Sequence, residues 1–166
     1  PVKGVALLGG RALHQLMTRV DRNIDKPADL KGKTLTVMSY QDTSFYATQA
    51  ILAKGSLTKD DVHVQAAGPT GIWQQVALGK ADGLVGAPEM GAIEEEGGVP
   101  LKWESTGAFF PGMAQAIMAS DDSIKNNPEM IQKFVRATLK SLAEMRDNPE
   151  GAAAEYVVAV PEYKGR

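Results

Sequence analysis

A chain of 166 residues, 43% hydrophobic and 23% charged, can bury one good core and has the composition of an ordinary soluble globular protein. A net charge of −2 gives no pull toward nucleic acid or an anionic membrane, and the absence of cysteine excludes thiol catalysis, disulfides and cysteine-ligated metal. No run approaches a transmembrane length and no segment reads as a signal peptide.

In chain order, Val2 to Leu8 is a short apolar run that predicts a strand, broken by Gly9-Gly10. Leu13 to Val20 predicts a second strand with Leu13, Leu16 and Met17 inward, and Asp21 to Lys33 is a polar connector. Thr34 to Met38 predicts a buried strand in which Leu35 and Val37 alternate with threonines. Asp42 or Thr43 can cap the following helix, whose apolar face is Ala47, Ile51 and Leu52, and Gly55 is expected to end it in a left-handed conformation. Val62-His63-Val64 predicts a short strand with His63 facing out. Pro69 or Thr70 starts a helix with Ile72, Trp73, Val76 and Ala77 inward, and Gly79 ends it. Leu84-Val85 is another strand, and Pro88 to Glu96 a helix stopped by Gly97-Gly98. Its acidic end, Glu94-Glu95-Glu96, is expected to be solvated. Leu101 to Glu104 alternates like an edge strand, and Gln115 to Ala119 is a last strand. Asn127 and Pro128 open the clearest helix, running to Met145 with Ile131, Phe134, Val135, Thr138 and Leu142 on one stripe. That stripe is expected to pack on the first and last strands. Asn148-Pro149 starts a final helix. Strands alternating with helices predict an α/β fold around a largely parallel sheet.

The segment Pro27 to Met38 (PADLKGKTLTVM) resembles the entry into the second lobe of extracellular solute-binding proteins. Gly55 to Val62, Gly79 to Gly86, and the two Asn-Pro-Glu helix starts at Asn127 and Asn148 resemble further landmarks of the same family, from about Val2 to Val160. The family is that of ABC-importer solute receptors of the nitrate/sulfonate/taurine and thiamine-precursor-like (NMT1-like) group. The resemblance implies a type II periplasmic-binding-protein fold and a chain about twice this long. The sequence is therefore expected to be a fragment holding one full lobe: residues 1–27 as hinge strands and part of the first lobe, 28–107 as the second α/β lobe, and 108–166 as the return strand and C-terminal helices of the first lobe.

In an open α/β sheet, ligands bind beyond the carboxyl ends of strands, where helix N-termini point. Three junctions have that character. At Tyr40, Gln41, Asp42, Thr43 and Ser44, free N–H groups and hydroxyls suit a partly negative ligand group; the alternative is that Asp42, Thr43 and Ser44 only cap their own helix. At Gly68 to Gly71, which includes Thr70, small residues permit close backbone approach or simply start a helix. At Ala87, Pro88 and Glu89, the carboxylate can take an amine or serve its own helix dipole. Carboxylates at Asp42 and Glu89 oppose a simple anion such as nitrate and suit a zwitterion, an amine or a neutral heterocycle. Trp73 reads as core; Trp103, Phe109 and Phe110 are more ambiguous, with either phenylalanine a candidate wall. His14 and His63 do not form a metal pair.

What the resemblance implies is a substrate-binding component without catalysis or cofactor, periplasmic or lipid-anchored extracellular. It would capture a small solute between two lobes and deliver it to an ABC permease in the membrane. No nucleic-acid partner is expected, and apolar surface left bare by a missing lobe is a candidate dimer contact. The alternatives are an enzyme on the same fold, such as a thiamine-pyrimidine synthase relative, and the effector domain of a transcription regulator. The former carries a cysteine-rich motif that this chain lacks.

Overall fold

The computed structural model describes residues 1–112 and 115–164 and divides into two units, one of residues 1–8 with 115–164 and the other of residues 9–112. The second takes in residues 9–27 and 108–112 together with 28–107.

The larger unit is built on a five-stranded sheet. Its strands are β2 (Gln15–Arg19), β3 (Thr34–Val37), β4 (His63–Ala66), β5 (Gly83–Gly86) and β6 (Leu101–Ser105), in the spatial order β4-β3-β5-β2-β6. β3 pairs in parallel with β4 and β5, while β2 runs antiparallel to both β5 and β6. The sheet is largely parallel, as expected, with β2 the one reversed strand. β2 precedes the helices of this unit in the chain and is inserted between β5 and β6, both later in the chain. Two short 3-10 turns, Val20–Arg22 and Pro27–Leu30, fill the polar connector.

Side-chain alternation builds a layer on each face of the sheet. Leu16, Leu35, Val37 and Val85 meet Ala47, Ile51 and Leu52 of helix α1 (Thr43–Lys54), with Ile24, Leu30 and Val62 closing the margin. Met17 and Leu84 face the other way, onto Ile72 and Val76 of α2 (Gly68–Ala77) and Met90 of α3 (Pro88–Glu96). Each such side chain, once fully buried, contributes about 1.5–3 kcal/mol. Leu16 and Met17 are both inward because β2 is covered on both faces; Leu13 lies before the strand and is only half-buried. Trp73 packs on the α2–α3 layer as expected, whereas Ala77, at the last position of α2, is exposed.

Two further expectations are corrected. Gly55 closes α1 at φ −84°, not left-handed; Ser56 takes the left-handed position at φ 58°. The requirement for glycine is steric, since a Cβ at Gly55 would lie 2.7 Å from the Pro27 carbonyl carbon. Glu94, expected on a solvated helix end, is 2% exposed. Gly91 lies one turn earlier on the same face, and without a side chain it lets α3 sit against Met17 and Trp103, which carries Glu94 inward.

The smaller unit pairs β1 (Val2–Leu7) with β7 (Ala116–Ser120) as an antiparallel ribbon, followed by α4 (Asp121–Asn126), α5 (Pro128–Asp147) and α6 (Pro149–Ala159). Asn148 caps α6 by accepting from the Gly151 N–H, but Asn127 makes no side-chain cap on α5. The main neighbours of α5 are α4 and α6, not the two strands as expected. Its predicted stripe is half-covered at Ile131, Val135, Thr138 and Leu142, and Phe134 is exposed.

Candidate functional site

Because β3, β4 and β5 are parallel, their carboxyl ends at Val37, Ala66 and Gly86 lie on one edge of the larger unit's sheet, in the order β4, β3, β5. At the usual strand spacing the outer two ends are about 10 Å apart. The three expected junctions, Tyr40–Ser44, Thr70 and Ala87–Glu89, all follow those ends. Two of them are stitched directly: Ala67 N–H donates to Val37 C=O at 3.0 Å and Gly68 N–H to Met38 C=O at 3.0 Å. Gly68 has φ +71°, a turn that an L side chain would strain. Met38, Ala67 and Met90 pack on one apolar cluster, which fixes the α3 junction beside the other two.

The individual side chains at this edge differ in availability. Asp42 caps α1, its Oδ1 accepting from Ser44 N–H at 2.8 Å. Burial pushes the Asp42 carboxyl up, but hydrogen bonds from Ser44 and the nearby His14 outweigh it and hold it below the usual range. Its charge is thereby spent on its own helix. Ser44 is turned inward: it is 1% exposed, and its Oγ accepts from Met38 N–H at 3.2 Å. Of the cluster expected to meet ligand, Asp42 thus caps α1 and Ser44 ties down the Met38 amide, while Gln41 and Thr43 are exposed. Tyr40 donates its hydroxyl to Val64 C=O at 3.2 Å and takes the Phe45 ring edge-on at 5.3 Å, so a half-exposed ring is held in place.

The other two helices start differently. Neither α2 nor α3 has a side-chain cap on its N-terminus. Thr70 is exposed in the first turn of α2; Glu89 is exposed in the first turn of α3, with Ala87 and Pro88 half-buried behind it. These first turns lack side-chain caps, but Gly68 N–H already serves Met38 C=O and Pro69 and Pro88 carry no N–H, so the donors left to the edge begin at Thr70 in α2 and Glu89 in α3.

His14 was missed as a member of this edge. The reversal of β2 puts its start beside the ends of β5 and β6, where Gln15 pairs with Gly86 and Ser105. His14 Nε2 lies 3.9 Å from Asp42 Oδ1, and the His14 carbonyl accepts from both Thr106 N–H (3.2 Å) and Thr106 Oγ1 (2.7 Å). No local signal marks His14; its position follows only from a long-range pairing. Phe109 packs on the α1 layer, whereas Phe110 is exposed. His63 is exposed on β4, and among the described residues no three His, Cys, Asp or Glu side chains are placed to hold a metal, nor is any helix long and apolar enough to cross a membrane.

Comparison with known proteins gives a consistent set. A family model described as NMT1/THI5 like matches residues 1–152. The riboflavin-binding protein RibY of Chloroflexus aurantiacus is 31% identical over 165 residues, covering 98% of this chain and 46% of that protein. The taurine-binding periplasmic protein of Escherichia coli is 27% identical over 132 residues, covering 79% and 41%. The chain thus spans less than half the length of these relatives. Among solved structures, the periplasmic aliphatic sulphonate binding protein SsuA of Escherichia coli superposes with a TM-score of 0.76 at 15% identity, over 91% of this chain and 50% of that one. The desulfurization enzyme DSZB superposes with a TM-score of 0.56 at 16% identity, over 95% and 60%.

Proposed function

Because the chain belongs to the NMT1/THI5-like family, we propose that it serves in the substrate-binding component of an ABC-type importer and presents one wall of a small-molecule site at the shared edge of β3, β4 and β5. The fold is that of the type II periplasmic binding proteins. One observation carries the reading: three loops meet on that edge, with α1 capped by its own carboxylate and α2 and α3 left without side-chain caps. The open first turn of α2 suits a partly negative head such as a sulfonate. Glu89 is the carboxylate here not committed to a cap, and it suits an amine or a ring donor. A zwitterion or a neutral polar heterocycle fits this pairing better than nitrate, in keeping with relatives named for taurine and riboflavin. Binding without turnover is our reading, with a periplasmic or extracellular location and a membrane permease as the receiver.

Calorimetric titration of the full-length protein against taurine, alkanesulfonates, nitrate, pyrimidines and riboflavin tests this. Glu89→Gln is expected to weaken the preferred ligand about ten- to hundredfold, the loss of roughly 1.5–3 kcal/mol for a hydrogen bond to a charged group. Thr43→Ala and Thr70→Ala remove neutral donors and are expected to cost about fivefold each. Unchanged affinity in all three variants, with folding intact, would remove these loops from the site. Recovery of a chemically altered ligand would replace binding with catalysis.

A further inference from the structure

Among the described residues Glu94 is the one charged side chain that is fully buried, and neither of its carboxylate oxygens has a hydrogen-bond partner. The groups around it offer little relief. On β2, Arg19 is the cation that acts on Glu94, but it already donates to Asp21 (3.0 and 2.8 Å) and to Val76 C=O (3.0 Å), with Asp82 also near it. α2 carries no charged residue, and Lys80 beyond it is exposed. On β6, Lys102 and Glu104 line the opposite face of the sheet with Leu16, Thr18 and Ile24, while Trp103 faces α3 and donates its indole N–H to Glu95 at 3.0 Å. Glu89, Glu95 and Glu96, on α3 itself, are exposed and add only negative charge.

An ionised carboxylate without partners is not tolerated in a dry contact; the group stays protonated or leaves. The way out is at hand. Glu94 lies in the last turn of α3, and Gly97 and Gly98 follow it, Gly98 at φ +83°. The closed turn is held by Val99 N–H donating to Glu94 C=O and Gly98 N–H to Glu95 C=O, both at 3.0 Å. We propose that Glu94 is a proton-operated latch, which when protonated seats the last turn of α3 on the sheet and when ionised unwinds residues 94–99 into water, breaking the Val99 and Gly98 bonds while Pro100 C=O stays on Val20 N–H.

The direction follows from proton linkage. Burial pushes the Glu94 carboxyl from 4.5 up to about 7, with Arg19 partly opposing. The closed turn therefore binds the proton more tightly than the open one, so closure is favoured at acid pH and is lost as pH rises from 4.5 through about 7. Between pH 5.5 and 8.5 the opening equilibrium should rise about thirtyfold.

The experiment is amide hydrogen exchange on the full-length protein, read as protection factors corrected for intrinsic rate, which keeps it independent of ligand binding. Val99 and Gly98 are expected to lose about thirtyfold protection between pH 5.5 and 8.5, with Leu84 and Val85 of β5 unchanged. In Glu94→Gln, and in Glu94→Leu should the glutamine variant fold poorly, Val99 and Gly98 are expected to vary less than threefold. Equal pH dependence in wild type and variants would overturn the latch, as would wild-type protection that does not change with pH. A parallel loss at Leu84 and Val85 would mean global unfolding and would also overturn it.

Discussion

Replacing Gly83 with alanine is expected to destabilise the larger unit by about 3 kcal/mol, near the top of the range for overpacking. Gly83 sits at the start of β5, paired with Thr18 on one side and Leu35 on the other. A Cβ there would lie 2.6 Å from the Met17 carbonyl oxygen and 3.0 Å from the Thr18 Cα. Those are backbone atoms of a central strand, so relief requires β2 to move and its pairing with β5 to lengthen. Urea unfolding followed by circular dichroism should show a midpoint lower by about 1–2 M at a typical slope. Gly10→Ala is the control, since nothing lies within 4 Å of its added Cβ, and it should change stability by less than about 0.5 kcal/mol. If the two variants unfold at the same urea concentration, the close approach of β5 to β2 is wrong.

Asp82→Ala is expected to cost about 2–3 kcal/mol, by removing a charged hydrogen bond and leaving a backbone donor unpaired. Asp82 Oδ2 accepts from Thr34 N–H at 2.7 Å, and its Oδ1 lies 3.4 Å from Arg22 Nε. The Asp82 backbone donates to Thr34 C=O and accepts from Arg19 N–H, so one residue ties the starts of β3 and β5 to the end of β2. Asp82→Asn keeps an acceptor for Thr34 and should lose about half as much. Exchange at the Thr34 amide separates this from a general loss of stability. In the alanine variant it should become unprotected while the Val37 amide stays protected. A Thr34 amide as slow as in the wild type would remove Asp82 from its role as anchor.

Asp82 also shows what was legible in the sequence. The Gly79-Lys80-Ala81-Asp82-Gly83 segment was recognisable as a motif, and its physical content is a glycine helix stop, a carboxylate anchor and a strand contact too close for a side chain. Strands and helices were readable because each apolar run is short and bounded by glycine, proline or a capping residue. Strand direction was not, because β2 is reversed by pairing with segments more than sixty residues later. The same reversal hid His14. At the candidate site, the loops could be placed from strand order, but the sense of a hydroxyl could not. A serine that accepts from Met38 N–H and one that faces solvent have the same sequence pattern. Glu94 was misjudged because charge composition signals solvent, whereas its burial depends on a glycine three residues earlier that admits the sheet.

The β1–β7 ribbon constrains the order of events during synthesis. Its two strands are separated by more than a hundred residues of sequence, and Leu8 N–H donates to Gln115 C=O where the ribbon closes. On the ribosome, β1 emerges roughly a hundred residues ahead of its partner β7. At about 5–20 residues per second that is some 5–20 s, far longer than a helix or hairpin takes to form. The five-strand unit encoded between the two strands therefore has time to complete itself before β7 reaches β1. Until β7 arrives, the edge of β1 that it will occupy is open to a chaperone or a neighbouring nascent chain.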